Sequence, residues 1–75
     1  PSSKSSTIVL QKVSVTITQE LQYFVNDRQV PFSGIESALK EEFKGQEGVV
    51  VLHVDKSVPT EHLVNVAGIA SSLKA

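Results

Sequence analysis

One stretch constrains the fold more than any other: VVVLHVDKSVPTEHLVNVAG, Val49 to Gly68. A run of β-branched and leucyl residues ends in Asp55, a proline follows four residues later, and residues with helical apolar spacing come next. Val49–Val54 shows no alternation and reads as an interior strand, covered on at least one face. The helix after the elbow is the nearest element able to cover it. Strand, polar elbow (Asp55-Lys56-Ser57-Val58-Pro59) and helix therefore form a unit that the rest of the chain must complete.

Pro59 is expected at the first helical position, with Ser57 as N-cap. Leu63, Val66, Ala67, Ala70 and Leu73 form the expected inward stripe of this second helix. Gly68 falls inside it at a cost of about 1 kcal/mol relative to Ala. Either a neighbouring element comes close there, or the glycine has no packing role.

Upstream, Pro1–Thr7 is Ser-rich and reads as a flexible linker, so the folded domain is expected over 8–75. In IVLQKVSVTI, residues 8–17, Val13, Val15 and Ile17 alternate with Ser14, Thr16 and Thr18, the period of a strand with one wet face. Ile8 and Leu10 lie on the opposite parity. They belong either to a stretch buried on both faces or to a contact outside this core. Thr18-Gln19-Glu20 is a polar turn, and Leu21–Asn26 is a second extended run, which together make a β-hairpin. Asn26-Asp27 is turn chemistry, because short Asx side chains tolerate positive φ.

Ser33 is the expected N-cap of a first helix, with Glu36 placed to complete a capping box. Ile35, Ala38, Leu39 and Phe43 face inward, Lys40, Glu41 and Lys44 face water, and Gly45 ends the helix. The order β-β-α-β-α predicts an α+β sandwich, two helices packed on one face of a small sheet. A helix leaving such a sheet usually returns to it, so a final strand is expected beyond Ala75. Its absence would leave a sheet edge open to pairing between copies.

Composition narrows the function. Seventy-five residues make one small domain that buries about 60–65% of its unfolded surface. No cysteine is present, so neither disulfides nor thiolate metal sites can reinforce it. Seven Lys/Arg against eight Asp/Glu leave a net charge of −1. That balance argues against nucleic-acid binding, which calls for a basic face, and against a polybasic membrane-surface patch. The longest apolar run, Val49–Leu52, is far too short to span a bilayer. The opening PSSKSS reads as the start of an excised fragment, with any membrane-crossing segment of the parent lying outside it.

Candidate chemistry is thin. His53 and His62 invite a metal or a general base, but zinc needs three or four converging ligands. A surface histidine on each element is the plainer expectation. Ser57, His62 and Asp55 contain the atoms of a catalytic triad, yet all lie on one elbow, where triads draw on distant segments. Gly45-Gln46-Glu47-Gly48 matches a G-x-x-G phosphate loop, but its interior carries a glutamate and no lysine. A helix stop followed by a turn explains both glycines. Glu41, Glu42 and Glu47 read as a solvated face. The expectation is no enzyme, no cofactor and no metal.

The elbow carries a resemblance. VVVLHVDKSVPTEHLVNVAGIA resembles the strand–elbow–helix segment of the ExbD/TolR family of biopolymer transport proteins. Members carry an apolar strand, then AD-K-x-V-P-Y or similar, then an apolar-periodic helix. Asp55, Lys56, Val58 and Pro59 are the matching positions. YFVNDRQVPFSGIESALKEEF looks like the preceding family segment, and the likeness runs in order from Val13 to Leu73. Two positions depart: Val54 stands where the family usually has Ala, and Thr60 replaces the common Tyr.

The resemblance implies the periplasmic domain of a single-pass protein of the bacterial inner membrane, anchored only by an N-terminal helix outside this chain. It implies an ExbB/TolQ-like membrane partner, a TonB/TolA-like protein energised by proton motive force for transport across the outer membrane, and a homodimer. The family's proton-carrying aspartate lies in the membrane helix, so neither Asp27 nor Asp55 inherits that role. Ile8, Val9 and Leu10 are the candidate partner or dimer contact, through strand addition to a sheet edge. Two alternatives stay open: a peptidoglycan- or envelope-binding module of the TolR kind, and an unrelated small α+β interaction domain. Pull-down on cell wall separates the first from the stator role. A membrane-crossing helix ahead of Pro1 in the parent gene excludes the second.

Overall fold

The computed structural model describes residues 11–73. Strands β1 (Gln11–Ile17), β2 (Tyr23–Val25) and β3 (Arg28–Val30) come first. A 3-10 turn, Phe32–Gly34, leads into helix α1 (Ile35–Phe43), followed by β4 (Gly48–Val54) and α2 (Thr60–Ser72). The four strands form one mixed sheet in the order β3-β2-β1-β4. β1 pairs antiparallel with β2 and parallel with β4, its residues 11–17 matched one for one to 48–54. The expected α+β class, two helices on a small sheet, is the architecture observed.

Alternation decides which face of the sheet is dry. Val13, Val15 and Ile17 of β1 and Tyr23 and Val25 of β2 point to the same side and are buried. They meet Ile35, Ala38 and Leu39 of α1, Val66 of α2 and Val58 of the elbow in a single core. Val50, Leu52 and Val54 of β4 pack against its margin. The expected inner stripe of α1 is therefore the real one.

Several details differ from the sequence reading. β3 is an added strand. Its residues are exposed or half-buried and show no apolar alternation, so only pairing with β2 reveals it. The Asn26-Asp27 turn joins these two strands. Asn26 takes φ 55°, accepts the Ser14 backbone N–H on Oδ1 at 3.1 Å, and donates from Nδ2 to Glu42 at 2.8 Å. β4, read as an interior strand, has β1 as its one neighbour among the described residues and so lies at the edge of the sheet that they form. Its uniform apolarity arises because valines occupy both faces, Val49 and Val51 lying opposite in parity to Val50, Leu52 and Val54.

Both expected N-caps fail. α1 follows Gly34 with no side-chain cap, because Ser33 lies inside the 3-10 turn, one residue ahead of the N-cap, and forms no capping box with Glu36. Pro59 is itself the extended N-cap residue of α2 (φ −60°, ψ 144°), so helix begins at Thr60 and Ser57 caps nothing. Gly45 does end α1, at φ 77°, after Lys44 has already turned left-handed. In α2 the inward stripe shifts: Ala67 is exposed, and Ile69 packs toward the core in its place.

Gly68 is exposed, and a Cβ there would meet nothing within 4 Å. Close approach is thus not its purpose. Gly68→Ala should stabilise the domain by about 0.5–1 kcal/mol, read as a raised melting temperature, because alanine loses less backbone freedom in a helix interior. A lower melting temperature would point to an unseen contact on that face.

Candidate functional site

The elbow is built around one carboxylate. The ladder between β1 and β4 runs one step past the strand, Asp55 N–H donating to the Ile17 carbonyl at 3.1 Å. Asp55 Oδ1 then accepts two hydrogen bonds from Ser57, from its backbone N–H at 2.9 Å and its hydroxyl at 2.7 Å. Val58 N–H closes the turn onto the Asp55 carbonyl at 3.0 Å. This is an Asx turn, the arrangement short acidic side chains favour. It turns the chain so that Val58 drops into the core, only 9% exposed. His62 N–H donates to the Pro59 carbonyl at 3.1 Å as α2 begins. Of the four elbow positions, Asp55 shapes the turn, Val58 anchors it, Pro59 sets the helix entry, and Lys56 stands exposed.

The two Ser57 hydrogen bonds stabilise the ionised form of Asp55 and hold its carboxyl below the ordinary value of 3.8. A carboxyl depressed in the folded state contributes stability that is present above its unfolded value and is lost as pH falls through the folded one. Asp55→Ala should therefore melt below the wild-type protein at pH 7. The gap should close as the buffer is taken below pH 3.8. A gap that persisted unchanged in acid would assign the aspartate's contribution to something other than its charge.

The catalytic alternatives do not assemble. Ser57 bonds to Asp55, whereas His62 Nδ1 lies 3.5 Å from the Tyr23 hydroxyl and its Nε2 lies 3.9 Å from Glu61. The triad order of nucleophile, base and acid is absent from this elbow. His53 is exposed on the outer sheet face as expected. His62 is not a plain surface residue: it is half-buried against Tyr23, whose ring also meets Phe32 at 5.6 Å between centroids. No sequence spacing marks this trio, since it joins β2, the 3-10 turn and α2. Among the described residues no group of three or more His, Cys, Asp or Glu could hold a metal ion.

The G-x-x-G stretch resolves into two structural glycines. Gly45 supplies the left-handed stop of α1, and Gln46 N–H donates to the Phe43 carbonyl at 2.9 Å. Gly48 lies against Gln11 and Phe43, where no side chain fits. Glu41 pairs with Arg28 at 3.1 Å on the surface, consistent with a solvated face. The candidate contact Ile8, Val9 and Leu10 lies outside the described residues.

Two features remain that could receive another chain. One is the edge of β4, a seven-residue strand with Val49 and Val51 on the outer face. The other is a cleft at its start, lined by Phe43, Val50, Ala70 and Leu73 with Lys40 at the rim. No helix among the described residues is long and apolar enough to cross a membrane. No curated protein matches the chain significantly. A known family does: biopolymer transport protein ExbD/TolR matches residues 1–73. Its members are membrane-associated transport components, not enzymes, and generally work with ExbB/TolQ and TonB/TolA partners. With the Asp55-Lys56-x-Val58-Pro59 elbow folded as a turn between strand and helix and the match spanning nearly every residue, this chain belongs to the ExbD/TolR family.

Proposed function

We propose that this domain is the periplasmic part of an inner-membrane stator subunit that couples proton motive force to TonB- or Tol-dependent transport across the outer membrane. The family match over residues 1–73 carries the reading. On this proposal the domain does no bond chemistry. It is a handle, tied to a proton-working membrane helix by the Ser-rich segment 1–7, and it delivers force through contacts.

The open β4 edge supports a contact of this kind. An extended segment laid along Gly48–Val54 would satisfy a row of main-chain groups that no strand among the described residues pairs, with Val49 and Val51 adding apolar area. Residues Ile8, Val9 and Leu10 of a second copy are the proposed occupant, giving a homodimer.

The test has two arms. Full-length parent protein, purified from its native membrane, should retain an ExbB/TolQ-type protein. Its deletion should abolish uptake that depends on the outer membrane, as a protonophore does. Intact uptake in the deletion strain would sink the stator role. For the dimer, light scattering of the domain at high concentration should report twice the monomer mass, and Val51→Lys on the β4 face should shift it toward monomer. The TolR-like alternative, an envelope-binding module, predicts instead that purified peptidoglycan pulls the domain down.

A further inference from the structure

We draw no further inference here: the strongest candidate, the apolar cleft at the start of β4 lined by Phe43, Val50, Ala70 and Leu73, carries nothing because nothing in the structure shows what covers it.

Discussion

Val66→Asp is expected to unfold the domain, while Val64→Asp, two residues away on the same helix, should leave stability within about 0.5 kcal/mol of wild type. Val66 is fully buried and is the one buried residue of α2, whereas Val64 is 59% exposed. An unpaired carboxylate at Val66 would lose its hydration with no partner in an entirely apolar core. The cost is about 4–5 kcal/mol even if the acid is neutralised. A chain of this length holds a total of only about 4–11 kcal/mol. Because α2 carries the exit of the elbow, its release should also free Val58 and expose the margin of β4. Circular dichroism melts of the two variants check this directly. Matching melts would mean that α2 is not held through Val66.

The second large effect is at Gly48. A Cβ there would stand 2.5 Å from the Gln11 carbonyl oxygen and would also run into the Phe43 ring. The ring can swing aside, but the carbonyl belongs to β1 where that strand is paired with β4. Gly48→Ala should therefore cost about 3 kcal/mol, in the range for overpacked sites. Gly45→Ala meets no atom but must hold φ 77°, and should cost about 1 kcal/mol. Together with the stabilising Gly68→Ala, three glycines should give one small gain, one small loss and one large loss. A denaturant series on the three variants checks the order. Gly48→Ala as mild as Gly45→Ala would show that β1 and β4 can separate at that end without penalty.

Residue pattern made much of this legible. The alternation of Val13, Val15 and Ile17 and the spacing of Ile35, Ala38, Leu39 and Phe43 are direct records of which side faces the core, because a side chain's direction follows from the period of its element. The elbow was readable as a turn between strand and helix, since Asp and Pro each have a narrow set of uses there, but the parts of Ser57 and Pro59 in the helix start were not. What escaped was anything settled by a neighbour far along the chain. β3 is a strand because β2 lies beside it, not because Arg28-Gln29-Val30 favours one. The caps were missed for a different reason. Ser33 falls inside a 3-10 turn that the helical spacing does not announce, and Ser57 spends its backbone N–H and hydroxyl on Asp55.

The order of the elements other than β3 and the 3-10 turn, and the dry face of the sheet, followed from the sequence alone, because periodicity and turn chemistry are local properties. The elbow motif carried the resemblance to the family. Tertiary structure alone decided the rest. It put β4 at an edge, gathered Tyr23, Phe32 and His62 at one end, crowded Gly48 against Gln11, and held Leu21 in a left-handed turn. Each of these depends on distances between segments well separated along the chain, or on a turn that such segments complete. No spacing within one segment encodes those distances.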